Sequence, residues 1–164
     1  MDKNCSKDDW IPQQVFNRIT KFLPIVCVDL VIYSQNEGAL LIRRAYPPGE
    51  GLWCLVGGII KRVELVENAV RRHAKTETGL EVKAERLIGI YDDPLRDSMI
   101  NNTVQYPSSP NRRNITLAYL CTPLGKTSKP GPEALELKFF KKLPAEVGFD
   151  HRKIILDSKV DVDE

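Results

Sequence analysis

One stretch, residues 57–80, carries the residue types and spacing that do chemistry: GGIIKRVELVENAVRRHAKTETGL. It runs Gly58, five residues, Glu64, seven residues, Arg72, four residues, Glu77, one residue, Gly79, Leu80. Glycine lets a backbone come close to a ligand. A carboxylate facing a bare backbone carbonyl is therefore a candidate site for a hard cation. Such cations take few protein oxygens and complete their shell with substrate phosphates. Arg72 can pair with Glu64 and hold the loop between them. The plainer reading is a surface helix that happens to end in an acid.

A helix has to position these groups. Residues 64–78 contain no Pro or Gly, carry acids early and bases late, and stop at Gly79, which suits a left-handed cap. At about 100° per residue, Leu65, Val66, Ala69, Val70 and Ala74 form one apolar face. His73, Thr76 and Glu77 fall on the same side. The face that turns into the fold thus ends in a carboxylate, which is costly there unless paired or bound to a metal. Gly57-Gly58 reads as a turn lying across from that last helical turn.

Around this segment, residues 25–34 are rich in β-branched side chains and read as a strand buried on both faces. A turn at 36–38 returns the chain as a second strand, 39–44, making a hairpin. Residues 53–56 form a short strand and 80–92 a strand pair or one long bent strand. Residues 114–122 and 135–140 are further strands. Ile11, Val15, Ile19 and Phe22 recur at helical spacing, with Pro12 near the start, and predict a short helix over 8–22. A closing helix is expected over 149–159 with Asp150 as its N-cap, followed by a frayed tail from Val160. Residues 94–113 have almost no apolar periodicity and form either a functional loop or a surface insertion. Strands flanking a central helix, with helices at both ends, predict a single mixed α/β sandwich. Its domain spans 23–160, after an N-terminal extension, 1–22, that holds the short helix.

The chain has 164 residues, enough for one domain with a sizeable core. Its 24 basic and 22 acidic residues nearly cancel, which gives no push toward nucleic acid or a membrane surface. The longest apolar run, Leu23 to Tyr33, is broken by Asp29 and is well short of the ~20 residues a bilayer span needs. The first ten residues have no apolar signal segment. Cys5, Cys27, Cys54 and Cys121 show no metal-ligand spacing, so a reducing, cytoplasmic setting is expected.

The spacing from Gly58 to Leu80 resembles the Nudix box, the signature of the Nudix hydrolases. The preceding PPGEGLWCLVGG resembles the approach to that box. The resemblance implies an α/β/α sandwich. It also implies cleavage of a nucleoside diphosphate linked to another moiety, with Mg²⁺ or Mn²⁺ held by glutamates of the box helix. His73 and Thr76 stand where the family usually has Glu, and Val63 replaces a common Gly. GDP-mannose mannosyl hydrolases resemble the chain more narrowly, through VDLVIYSQNEGALLIRRAYPPGEGLWCLVGG, and keep only the last helical Glu. They bind one Mg²⁺ and cut at a sugar carbon.

By that resemblance the Gly58 carbonyl and Glu77 are metal ligands, and Asp29, Arg44 and Arg72 match acidic and basic site positions. PEALELKFF places Glu133 at a ligand position, while Ala134 and Ile59 replace the subgroup's base and a diphosphate-binding arginine. The expectation is a metal-dependent hydrolase of a nucleoside diphosphate derivative, a nucleotide sugar among the candidates. Glu77, Arg72 and Glu133 are its catalytic residues, Asp29, Arg44 and Arg113 bind substrate, and Gly58, Glu64 and Glu77 hold the metal. The alternative is a Nudix-fold nucleotide-binding or regulatory module that has lost catalysis. Dimers are frequent in the family, so a homodimer through the N-terminal helix is left open.

Several residues keep two readings. His73 is a metal or substrate contact, or a histidine tucked into an apolar face. Glu133 is a ligand or base, or an exposed acid. Arg112-Arg113 clamp a phosphate or face solvent. His151 is structural or exposed. Trp53 and Tyr46 stack on a base or, for Trp53, pack in the core.

Overall fold

The β-branched run beginning at Ile25 forms the strand on which the sheet is built. The computed structural model describes residues 11–47, 49–94, 113–125 and 129–163. Along the chain these are α1 (Gln13–Ile19), β1 (Ile25–Ser34), β2 (Gly38–Arg44), β3 (Trp53–Cys54), β4 (Val56–Ile59), α2 (Val66–Thr78), β5 (Val82–Pro94), β6 (Arg113–Pro123), β7 (Ala134–Phe140) and α3 (His151–Asp157).

β1 runs parallel to β6 from Ile25↔Asn114 to Ile32↔Cys121. Its other edge is shared. β4 pairs antiparallel with it from Cys27↔Ile59 to Leu30↔Val56, and β2 takes over at Tyr33↔Ala39 and Ser34↔Gly38. β5 extends the β6 side, while β3 and β7 both pair with β2. The result is a mixed seven-stranded sheet in the order β3-β2-β1-β6-β5, with β4 on β1 and β7 on β2.

Alternation along β1 feeds two cores. Val28, Leu30 and Ile32 pack with Ala69, Val70 and Ala74 of α2. Val31 packs with Ile154 and Ile155 of α3. A helix on each side of a mixed sheet is the sandwich expected from the sequence.

The hairpin over 25–44 matches its expected limits. β5 is the single bent strand of the two options, with irregular pairing at Ala84/Arg86 and Leu87/Gly89. Other boundaries differ. Gly57 and Gly58 lie inside β4, paired with Asp29 and Val28, and form no turn. α2 begins at Val66, because Leu65 is extended (φ −68°, ψ 145°) and 73% exposed. Gly79 caps the helix in the left-handed region at φ 72°, as its position predicts. α1 is shorter than the expected 8–22, and residues 8–10 lie outside the described residues. Asp150 precedes α3 without a side-chain cap. The tail does not fray through Asp163, which exchanges 2.8 Å backbone bonds with Leu143 and Lys141. Trp53 packs edge-on to Phe140, with centroids 4.7 Å apart, inside the α3-side core. Residues 95–112, which include most of the expected loop and Arg112, lie outside the described residues, as does Cys5. Cys27, Cys54 and Cys121 are free and buried. Among the described residues, no helix is long and apolar enough to cross a membrane.

Candidate active site

At the start of the box segment, Glu64 faces back toward the chain that precedes it. Its carboxylate accepts both Nε and Nη2 of Arg72, at 2.7 and 2.8 Å, and the Lys61 N–H at 3.1 Å. The same Nη2 reaches the Ile59 carbonyl at 2.9 Å. Fork-to-fork geometry of this kind is the strong form of an ion pair. Burial opposes the charge on Glu64, but Arg72 and the Lys61 N–H outweigh it and hold the carboxyl below its ordinary value. The result is a clamp that fixes residues 59–64 onto α2.

At the other end of α2 the balance reverses. Glu77 is 6% exposed. Burial pushes its carboxyl above the ordinary range, the His73 ring pulls it down, Glu133 pushes it up again, and the Gly57 N–H lowers it slightly. The net shift is upward. His73 Nδ1 lies 2.8 Å from Glu77 Oε1, and Nε2 lies 3.2 Å from the Ile59 carbonyl. The His73 ring fills the space beside Gly58, where a Cβ would come within 2.6 Å of Cε1. His73 is thus tucked in, as one reading had it, and at the same time bonded to the one acid left on the helix face. Thr76 is exposed.

Chain distant in sequence completes this end. Gly131 presses on the last turn of α2, its N–H donating to the Glu77 carbonyl at 2.8 Å. A Cβ on Gly131 would meet the Thr76 oxygen at 2.5 Å. Two residues later Glu133 comes within electrostatic range of Glu77. The Glu133 carbonyl accepts the Ala45 N–H at 2.9 Å, which ties the loop to the end of β2 beside Arg44. The Arg44 guanidinium sits 5.9 Å from the centre of the Phe149 ring. Phe149 itself is held at φ 57°, a strained conformation for a bulky residue.

Two expected substrate residues have protein partners of their own. Asp29 points to the α3 side of β1, where its Oδ2 is 3.4 Å from His151 Nε2. His151 Nδ1 accepts the Leu55 N–H at 2.9 Å. Burial disfavours a charge on this ring, but the Asp29 carboxylate outweighs it and pushes the imidazole up to about 10. With Nδ1 accepting from Leu55, Nε2 carries the proton that faces Asp29. The sequence missed this pair, although Asp29 interrupting an apolar strand was the signal that a buried partner was needed. Arg113, at the start of β6, is committed to Asp92 of β5.

An apolar cavity of about 620 Å³ lies beside α1, walled by Ile19, Ile25, Val26, Ile59 and Ile60 with Lys61 and Arg62. It shares the Ile59–Lys61 wall with the clamp.

A family-implied divalent cation can be weighed against these donors. Among the described residues, no three His, Cys, Asp or Glu side chains converge tightly enough to hold a metal alone. Glu77 is nevertheless a desolvated carboxylate crowded by a second acid, a combination that a cation relieves. The donors fit one ion that also takes substrate oxygens, and do not fit a cluster of ions.

The chain matches the NUDIX domain family over residues 23–156. It belongs to the Nudix family and is a Nudix-type hydrolase. It is 38% identical over 136 residues to the ADP-ribose pyrophosphatase of Methanocaldococcus jannaschii, covering 82% of this chain and 72% of that protein. Two solved structures share the fold. One is the bifunctional NMN adenylyltransferase/ADP ribose pyrophosphatase of Francisella tularensis with AMP and a Mn ion (TM-score 0.63, 21% identity, 88% of this chain and 46% of that one). The other is the NUDIX domain of Shewanella oneidensis NrtR with ADP ribose (TM-score 0.62, 19% identity, 97% of each chain). The narrower resemblance to mannosyl hydrolases rests on the sequence alone.

Proposed function

We propose that the chain hydrolyses a nucleoside diphosphate derivative of the ADP-ribose kind, with one divalent cation at Glu77. The observation that carries this reading is the buried Glu77 carboxylate, raised above its ordinary range with Glu133 beside it. The likeness to an ADP-ribose pyrophosphatase across most of both chains supports the substrate class. When bound, the cation neutralises diphosphate charge and polarises the scissile linkage.

The chain's own residues then divide the work. Glu77 and the Gly58 carbonyl hold the ion. Glu133, exposed at the loop end, takes the proton of the attacking water. Arg44, at the end of β2, faces the diphosphate charge. Glu64, with its oxygens engaged by Arg72 and Lys61, supports the loop in place of ligating. Arg72 likewise acts by holding Ile59 and Glu64. In this reading Asp29 is occupied by His151 and Arg113 by Asp92.

A second reading is favoured by a specific observation. Glu77 is the only one of three helix-face acids retained, and it already has a protein partner in His73. That is the arrangement expected of a module that binds a nucleotide without cleaving it. One assay separates the two: turnover of ADP-ribose, nucleotide sugars and nucleoside triphosphates with Mg²⁺ or Mn²⁺, alongside Glu77→Gln. Cation-dependent turnover of ADP-ribose that is lost in the variant is the expected result. Saturable binding of ADP-ribose without turnover of any of these compounds sinks the hydrolase reading.

A further inference from the structure

His73 stands where the box helix of the family carries a carboxylate, which puts a ring nitrogen beside Glu77. His73 and Glu77 lie one turn apart on α2, with Nδ1 and Oε1 2.8 Å apart. Two ligands on bonds of about 2.1 Å set at right angles are about 3 Å apart. The two atoms share a hydrogen bond at present, and a cation that replaces its proton needs them only slightly farther apart.

The ring is also oriented as a ligand should be. A metal-binding histidine usually donates its other ring N–H to a carboxylate or a backbone carbonyl, which fixes the tautomer. Here Nε2 faces the Ile59 carbonyl at 3.2 Å and Nδ1 is the nitrogen turned toward Glu77. That carbonyl is itself anchored, since it also accepts Arg72 Nη2 at 2.9 Å. Gly58 leaves the room in which the ring lies.

Nitrogen changes which cation suits the site. Mg²⁺ is hard and takes oxygen, whereas imidazole suits zinc and the later first-row ions, with affinity rising from Mn²⁺ through Co²⁺ to Ni²⁺. We propose that His73 Nδ1 joins Glu77 as a ligand, and that this substitution turns the site from Mg²⁺ toward imidazole-accepting cations such as Co²⁺ and Zn²⁺. The inference rests on the reading above that Glu77 holds a cation, and it adds the ligand and the preference. A carboxylate-only box shows the same order more weakly.

Calorimetric titration of the full chain with Co²⁺ and with Mg²⁺ tests it, in wild type and in His73→Gln. The glutamine keeps a hydrogen-bonding side chain of similar reach, and circular dichroism confirms that the variant is folded. Wild type is expected to prefer Co²⁺, and the preference to fall by roughly 10- to 100-fold in the variant. Pulsed electron paramagnetic resonance of the Mn²⁺-loaded chain is expected to show coupling to a bound nitrogen that disappears in His73→Gln. An unchanged Co²⁺/Mg²⁺ ratio, absence of nitrogen coupling, or no Co²⁺ binding by wild type overturns the proposal. Its failure is distinguishable from failure of the hydrolase reading. Mg²⁺-supported turnover unaffected by His73→Gln removes only the ligand. Co²⁺ binding that depends on His73 without any turnover removes only the hydrolase.

Discussion

Glu64 and Glu77 belong to the same loop and helix, yet their surroundings drive them in opposite directions. Glu64 is gripped by both arms of Arg72 and a backbone N–H, and its carboxyl is held below its ordinary value. Glu77 is more deeply buried, has one histidine partner and a second acid nearby, and is raised. Satisfied charge stabilises a fold, and poorly satisfied charge is what a ligand can exploit. The leading end of the segment thus reads as scaffold and its trailing end as site. A pair of like groups with environments that separate their proton affinities is a general mark of divided roles.

The largest effect that would break this comparison is on activity. Glu77→Gln is expected to lower ADP-ribose turnover by about 100-fold or more, since it removes a ligand to the ion. Its thermal midpoint should not fall, because a neutral amide removes a desolvated charge. A clear drop in midpoint would make Glu77 part of the scaffold after all. Glu64→Gln should show the converse pattern. Losing the forked pair leaves a partly buried guanidinium short of its partner, at a cost of about 2 kcal/mol. That corresponds to a midpoint lower by roughly 4–8 °C for a chain of this size.

The same two variants sharpen the contrast through pH. Glu64 has a folded-state pKa below its ordinary value of 4.5. Its contribution is therefore complete above that value and is lost as pH falls through the folded-state pKa. The midpoint difference between wild type and Glu64→Gln should close in acid. Glu77 has the opposite sign, because its pKa is raised from 4.5. Its contribution is present below 4.5 and is lost as pH rises toward the folded-state value, so Glu77→Gln should gain on wild type over that range. Unfolding curves from acid to neutral pH check both slopes.

The smallest effect belongs to Arg113→Gln. Its pair with Asp92 is exposed on both sides, and exposed pairs contribute little. Neither the thermal midpoint nor the KM for ADP-ribose is expected to change. A several-fold rise in KM would return Arg113 to the substrate site.

Much of this was legible because it was local. The hairpin over 25–44, the helix through Thr78 and its stop at Gly79 follow from neighbours in sequence. The pairing of Arg72 with Glu64 followed from opposite charges eight residues apart, one just before the helix and one in its middle. Gly57 and Gly58 supply space in place of the turn that a glycine pair suggests. Gly57 leaves room for Asp29 and Gly58 for the His73 ring, both within an ordinary strand. Leu65 looked like the start of an apolar face but stays outside, since the clamp on Glu64 keeps the chain extended until Val66. The Asp29–His151 pair and the seat of Gly131 on α2 depend on contacts between distant segments, which no local pattern records.

The central claim is that this box, with one of its three helix-face glutamates left, works with a single cation seated on Glu77. Counting Mn²⁺ by electron paramagnetic resonance in the full chain, with a non-hydrolysable ADP-ribose analogue present, tests it most directly. One bound ion per chain, absent from Glu77→Gln, is the expected result. Two or more ions per chain, or one ion retained by Glu77→Gln, would contradict it.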